Sequence, residues 1–261
     1  MSQSERGPLY AFSTPTSGDD EQARLFSSFR QSGFSGLQLK GSQYARYIGR
    51  PSRFLADWGD DEGVRSALIH GSSLDPQGVD SLREVIAFAS GIGSGIVVFC
   101  HARPRDSVNH DDIRLFAREL SRLGEEAATV DVKISLHNHF DNPVMHRGDF
   151  DVFFGSVEPG TIGLTLDTAH LAKSGVEDIA GIVRDFGVFI DNVHLKDFRD
   201  GQFATLGRGR IDFESVFAAL HEIDFQGWLC ADEESDTAVE ESLKESFEFL
   251  DCGWRSAPHD S

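Results

Sequence analysis

The sequence is poor in cysteine, in positive charge and in long apolar stretches, and each shortage closes off a class of function. Three cysteines in 261 residues, Cys100, Cys230 and Cys252, form an odd, sparse set with no Cys-x-x-Cys pair. They provide no disulfide framework, and Cys100 and Cys230 sit in apolar runs where a free thiol behaves as a small hydrophobe. Bases number 24 against 43 acids, a formal charge of −19. Tracking a phosphate backbone takes a positive footprint, so nucleic acid and anionic membrane are poor partners for this chain. No run of about 18 apolar residues occurs, which argues against a transmembrane helix. Residues 1–7 lack the apolar centre of a signal peptide, and a cytoplasmic location is the default expectation.

Several well-known catalytic signatures are missing too. There is no Gly-x-x-x-x-Gly-Lys-Ser/Thr loop, no His-Glu-x-x-His and no Gly-x-Ser-x-Gly elbow. Gly91-Ile92-Gly93-Ser94-Gly95 precedes an apolar strand instead of following one, so it fails the context of a dinucleotide turn.

What the chain does contain is a regular alternation. Apolar runs at 9–13, 36–40, 65–70, 95–101, 132–139, 161–167, 188–195 and 227–232 read as strands. Stretches of helical period follow them at 19–32, 52–60, 78–91, 111–129, 149–156, 176–186, 213–223 and 237–252. Pro76 marks a helix entry, Asp111 and Asp112 place negative charge at another, and Asp212 reads as an N-cap. Gly124 interrupts its helix or ends it early. Strands alternating with helices imply a parallel sheet, and eight such units imply closure. The expected fold is α/β, a single-domain (β/α)8 TIM barrel over residues 1–261. Its ordered core spans about 9–252, with loose ends at 1–7 and 254–261.

In such a barrel the active site lies at the C-terminal ends of the strands. Six strand ends here carry chemistry: His70, His101, His137 with His139, Asp167 with His170, His194 with Lys196 and Asp197, and Asp232. A lone strand-end histidine is an ordinary hydrogen-bonded group, but six such ends in chain order point to a shared rim. His137 and His139 are two apart and, on a strand, share a face. Carboxylates and imidazoles from neighbouring strands suit Mn²⁺, Zn²⁺, Co²⁺ or similar ions. Gly207-Arg208-Gly209-Arg210 falls between the seventh strand and its helix, where glycines admit a ligand and Arg208 can meet a hydroxyl-rich or anionic one. Trp58, Tyr44 and Tyr47 lie near the second strand's loop as candidate walls of a sugar pocket.

Together these residues resemble the xylose isomerase-like barrels, the superfamily of sugar phosphate isomerases/epimerases and apurinic endonucleases. The landmarks are Gly33-Phe34-Ser35-Gly36-Leu37-Gln38-Leu39, His70, His101, His137-Asn138-His139, Asp167-Thr168-Ala169-His170-Leu171, His194-Leu195-Lys196-Asp197, residues 207–213 and Gly227-Trp228-Leu229-Cys230-Ala231-Asp232. The resemblance covers about residues 9–250. It implies one divalent metal ion (Mn, Co, Zn, Mg or Fe) held by His137, Asp167, His194 and Asp232. His137 and Asp232 stand where the family typically has glutamates, and those glutamates also serve as acid and base in its epimerases. Proton transfer would then pass to His139, His170 and Glu233 beside Lys196, with Glu233 the weaker because a straight strand turns it away from Asp232. Substrate contacts would come from His70, His101, Arg208 and Trp58.

The implied function is isomerisation or epimerisation of a sugar, keto-sugar or inositol-like polyol through an enediolate. A lyase on the same scaffold, of the inosose-dehydratase or C-glycoside-cleaving kind, is the alternative, since a single base suffices for it. The endonuclease branch carries Asp-x-His after the seventh strand, and this chain has Asp200-Gly201-Gln202. A non-catalytic sugar-binding barrel is the remaining reading. The expected partner is a small sugar or polyol, with no nucleic acid and no membrane, and barrels of this kind also assemble as homo-oligomers.

Overall fold

Residues of alternate parity along each strand enter two different environments, and that alternation builds the architecture. Residues 7–235 and 237–258 are described by the computed structural model. Eight parallel strands close into a barrel: β1 (Leu9–Ser13), β2 (Gly36–Leu39), β3 (Ala67–Ser72), β4 (Ile96–His101), β5 (Lys133–His137), β6 (Ile162–Asp167), β7 (Ile190–Leu195) and β10 (Trp228–Asp232). Around the ring the order is β1-β10-β7-β6-β5-β4-β3-β2. One parity carries Leu39, Leu68, Phe99, Leu136, Leu164, Leu166, Val193 and Leu195, buried toward the helices. The other carries Gln38, Ser135, Thr165 and Asn192, equally buried but polar.

The helices are α1 (Asp19–Ser28), α2 (Gly41–Tyr44), α3 (Pro51–Trp58), α4 (Pro76–Ile92), α5 (His110–Ala128), α6 (Arg147–Phe154), α7 (Thr168–Lys173), α8 (Ile179–Phe186), α9 (Phe213–Glu222) and α10 (Val239–Ser256). Local chemistry sets several of their ends. Asp75 accepts the Gly78 N–H ahead of Pro76, and α4 stops at Gly93 in the left-handed region (φ 77°). Asn109 and Asp112 cap α5 reciprocally, and Asp212 caps α9 through the Ser215 N–H.

Gly124 neither interrupts nor ends its helix. A Cβ there would stand 2.4 Å from the Thr161 carbonyl oxygen, so glycine lets α5 lie directly on the chain entering β6. Other expectations shift at their ends. The fifth strand closes at His137, so residues 138–139 lie beyond it. The seventh starts at Ile190, with Val188 exposed in a short turn before it. Far from being loose at 254, α10 runs to Ser256, and Trp254 stacks on His221 with ring centroids 3.8 Å apart. Of the expected loose ends, residues 1–6 and 259–261 lie outside the described residues, as does Asp236 of the acidic stretch after the last strand. Three short elements had no periodicity to announce them: α2, α7 and the antiparallel hairpin β8 (Asp197–Arg199) with β9 (Gln202–Ala204).

Between β6 and β7 the register passes from Leu164↔Ile190 to Thr165↔Asn192, so β7 carries Asp191 as an extra residue.

Candidate functional site

Parity carries the inward-facing residues of neighbouring strands up to the mouth. Asp167 ends β6, and its Oδ2 lies 3.5 Å from His137 Nε2 at the end of β5 and 4.0 Å from His194 Nδ1 near the end of β7. His194 Nδ1 is in turn 3.7 Å from Asp232 Oδ2 at the end of β10. All four side chains are buried. Asn138 clamps the rim by receiving the Asp167 N–H at 2.8 Å and donating to the Asp167 carbonyl at 3.0 Å. The second Asp167 oxygen accepts the His170 N–H and so starts α7.

Two lysines enter the same space. Lys196 Nζ is 2.7 Å from Asp232 Oδ2 and 3.7 Å from Asp167 Oδ2. Lys40 Nζ, just past β2, is 2.6 Å from Asp232 Oδ1. Glu234 closes the group with contacts of 2.9 Å to each ammonium. Burial works against every one of these charges, yet the lysines and carboxylates compensate each other. Asp232, Glu234 and Asp167 stay below the usual carboxylate range, and both lysines rise. Burial dominates for His194 and lowers its pKa to about 3.

On the β5 and β6 side the mouth is lined by imidazoles. The rings of His139 and His170 lie 3.9 Å apart between centroids, inclined at 34°, and Phe203 of β9 approaches His170 edge-on at 5.0 Å. The same phenyl ring lies 4.8 Å from Lys196 Nζ, so the β8–β9 hairpin roofs this quarter. His139 Nδ1 is 2.7 Å from the Phe140 carbonyl oxygen, which only accepts, so the proton sits on Nδ1 and Nε2 keeps a lone pair. His170 Nδ1 receives the Phe140 N–H at 3.2 Å, so its neutral ring carries the proton on Nε2. Burial lowers the pKa of both, that of His170 to about 2.

Other expected contacts lie elsewhere. His70 and His101 share the helix-facing parity of Leu68 and Phe99. His101 packs edge-on to Phe116 of α5 at 4.5 Å and its Nδ1 accepts the Arg103 N–H, while His70 packs near Phe99. Trp58 donates to the Tyr47 hydroxyl at 2.9 Å and meets Phe26 of α1, in the helical layer, and Tyr44 donates to the Ile69 carbonyl. Arg208 pairs with Glu245 of α10 at 2.5 Å. Glu233 is buried, but its carboxylate turns back to the Ser235 N–H. These placements correct the expectation of His70, His101, Trp58 and Arg208 around one pocket with the strand ends. Conversely, Lys40 and Glu234 belong to the cluster and were not singled out. Lys40 had a signal, since it follows Gly36 and Gln38 on the inward parity of β2.

Asp167 Oδ2 and His194 Nδ1, together with His137 Nδ1, are buried without a hydrogen-bond partner. Ligand atoms of Asp167, His194 and Asp232 all fall within 4.8 Å of one another, as do those of His137, Asp167 and His170. Two carboxylates among imidazoles fit a borderline divalent ion. Both Asp232 oxygens already meet an ammonium, so Asp232 could join such a set only by sharing its carboxylate.

Comparison with known proteins bears on the barrel and its family. The model of the xylose isomerase-like TIM barrel family matches residues 30–251. An inosose dehydratase of Clostridium beijerinckii is 31% identical over 150 residues, 50% of each chain. One of Lacticaseibacillus casei is 29% identical over 147 residues, 49% of each. The chain thus spans about half the length of the curated relatives it matches. Among solved structures, an L-ribulose 3-epimerase superposes with a TM-score of 0.77 at 19% identity, covering 97% of this chain and all of that one. A probable 3-DHS dehydratase of Bacillus anthracis gives 0.74 at 12% identity, covering 93% and 98%.

Proposed function

Since the chain belongs to the xylose isomerase-like TIM barrel family, we propose that it is a metal-dependent enzyme acting on a keto-sugar or keto-polyol, with elimination of water as its reaction. Asp167, His194 and His137, with Asp232 sharing its carboxylate, would hold the divalent ion, and the ion would supply a Lewis acid beside the substrate carbonyl.

The opposite protonation of the two neighbouring imidazoles carries the reading. His139 Nε2 is a bare lone pair on a ring kept neutral by burial, the state a general base needs. It takes the proton from the carbon next to the carbonyl, and the bonding pair becomes the enolate. As the carbonyl re-forms, the pair moves into a new carbon–carbon double bond and the β-carbon–oxygen bond breaks. His139 returns its proton to the departing oxygen, so water leaves and the imidazole is neutral again. His170 Nε2–H orients a substrate oxygen. Lys196, charged and buried, adds fixed positive potential beside the oxygens.

Epimerisation would need a proton delivered from a second face. Toward β10 the groups on offer are Asp232 and Glu234, both held ionised by lysines. The half-length likeness to inosose dehydratases supports elimination as well. The test is incubation of the Mn²⁺-loaded protein with an inosose in D₂O. Growth of enone absorbance with loss of water supports the reading. Formation of a deuterated epimer without absorbance would replace it with epimerisation. An unchanged inosose without deuterium uptake would count against keto-polyol chemistry.

A further inference from the structure

Below the mouth, the barrel interior holds a run of polar side chains that the chemistry above leaves unused. His194 Nε2 lies 2.8 Å from Gln38 Oε1. Gln38 Nε2 donates to Asn192 Oδ1 at 2.7 Å, and Asn192 Nδ2 returns a bond to Gln38 Oε1 at 3.0 Å. Asn192 Nδ2 also reaches Thr165 Oγ1 at 3.2 Å, and Thr165 Oγ1 stands 2.7 Å from Ser135 Oγ. Ser135 donates to Asp191 Oδ1 at 2.6 Å, and Asp191 Oδ2 meets Lys133 Nζ at 2.7 Å where β5 begins. The bond between Gln38 and Asn192 joins strands that are not neighbours in the ring, so the run crosses the interior from mouth to floor.

A hydrogen-bonded run of this kind has two senses, and its lower end selects one. Burial pushes the Asp191 carboxyl up against the opposing pull of Lys133 and Ser135, and the Lys133 ammonium 2.7 Å from Oδ2 makes Asp191 the acceptor at this end. A carboxylate only accepts, so Ser135 gives it the single hydroxyl proton. Thr165 must then donate to Ser135, which leaves only lone pairs facing Asn192. Asn192 has to present its nitrogen to Thr165 and its oxygen to Gln38. Gln38 answers with nitrogen and turns its oxygen toward His194. An amide oxygen offers His194 Nε2 only lone pairs at 2.8 Å, so His194 carries its proton on Nε2, and Nδ1 keeps the lone pair that faces Asp167 and Asp232.

We propose that Asp191 and Gln38 are positioning residues: the carboxylate at the barrel floor fixes the ring tautomer of His194 at the mouth through Ser135, Thr165, Asn192 and Gln38. The backbone makes room for this. The extra residue in β7 brings Asp191 and Asn192 both into the run, and at Gly163 a Cβ would stand 1.9 Å from Asp191 Oδ2. Orienting the second nitrogen of a metal-binding histidine is a recognised lever on affinity. That consequence rests on the metal reading above; the tautomer itself does not.

Long-range ¹H–¹⁵N correlation of the metal-free protein at pH 8 reads the tautomer directly. The wild type is expected to show His194 as the pure Nε2–H form. Asp191→Asn supplies an amide that donates as well as accepts, and Ser135→Ala frees the Thr165 proton. Both are expected to give mixed tautomers, and Mn²⁺ affinity by calorimetry about tenfold to a hundredfold weaker. Gln38→Glu, an acceptor-only side chain, should restore the Nε2–H form. An Nδ1–H pattern in the wild type overturns the inference. So do Ser135→Ala and Asp191→Asn spectra identical to wild type, and Ser135→Ala, a small deletion, covers the case of a misfolded Asp191→Asn. An intact Nε2–H pattern that responds to these variants, with no Mn²⁺ bound by any protein, would uphold the inference and sink the metal reading.

Discussion

His139 and His170 lie against each other, 3.9 Å between ring centroids with their planes inclined at 34°, and a single residue beside them gives the two rings opposite protonation. The Phe140 carbonyl accepts a hydrogen bond from His139 Nδ1–H, and the Phe140 N–H donates to His170 Nδ1. Two imidazoles of the same intrinsic chemistry thereby become an acceptor and a donor toward the mouth.

His139→Gln should therefore lower kcat by roughly 10²–10⁴ and leave KM within a few-fold. Because burial depresses the His139 pKa, the ring is neutral at any pH above that lowered value. The acid limb of kcat/KM should accordingly have its midpoint below the ordinary histidine value of about 6.5. Steady-state rates on an inosose across pH check both, and a limb at or above 6.5 would remove His139 from the role of base.

Asp232 is shared between two ammonium groups, and Lys40 is the one nearer solvent. Lys40→Ala should free Asp232 Oδ1 and tighten Mn²⁺ binding in a calorimetric titration. The metal-free variant should lose about 3 kcal/mol, at the low end for a broken buried pair because Lys196 stays. Weaker Mn²⁺ binding would mean that Lys40 supports the site instead of competing for it.

His101 tests the electrostatics of the helical layer apart from the mouth. Burial and the nearby Arg103 lower its pKa to about 4. A lowered histidine binds more protons unfolded than folded between that value and about 6.5, so its contribution is complete above 6.5 and fades as pH falls. From pH 7.5 to 5 the loss is about 2 kcal/mol. His101→Phe should reduce the difference in stability between the two pH values, measured by urea unfolding, by about 2 kcal/mol, leaving the part due to the histidines at the mouth.

Two glycines should respond with opposite sign to the same change. Gly124→Ala gains up to about 1 kcal/mol of helix propensity but drives a methyl against the Thr161 carbonyl, a backbone atom that cannot turn aside. A net loss of about 1–3 kcal/mol is expected. Gly148 in α6 has open space around its missing Cβ, so Gly148→Ala should stabilise by up to about 1 kcal/mol. Thermal unfolding of the pair decides it.

The barrel was legible in the sequence because its signal is periodic. Apolar runs at a steady spacing fix eight strands, and chemistry at strand ends needs only the rule that such ends meet at one face. The Asp167, His194, His137 and Asp232 neighbourhood follows from that much. His70 and His101 show that a strand end without its parity does not give direction: Leu68 and Phe99, two residues earlier, mark the helix-facing side. Arg208 and Trp58 sit in loops and short helices, where no period fixes direction. Lys40 was in view but had no neighbours of its own kind to call attention to it. The hairpin of β8 and β9 and the short α7 are too brief to show any repeat.

Asp191 changes what the underside of this barrel is for. In barrels of this class the N-terminal face is ordinarily the part where sequence drift is judged by stability alone. Here drift at residue 191, or at the glycine that leaves room for it, would be felt at the opposite end of the barrel without moving a backbone atom. A library built to retune the catalyst while holding the scaffold constant would have to treat positions 135, 163, 165 and 191 as part of the catalyst. A thermostabilised design that filled the polar interior with aliphatic side chains would gain a tighter barrel and forfeit control of an imidazole it never touched.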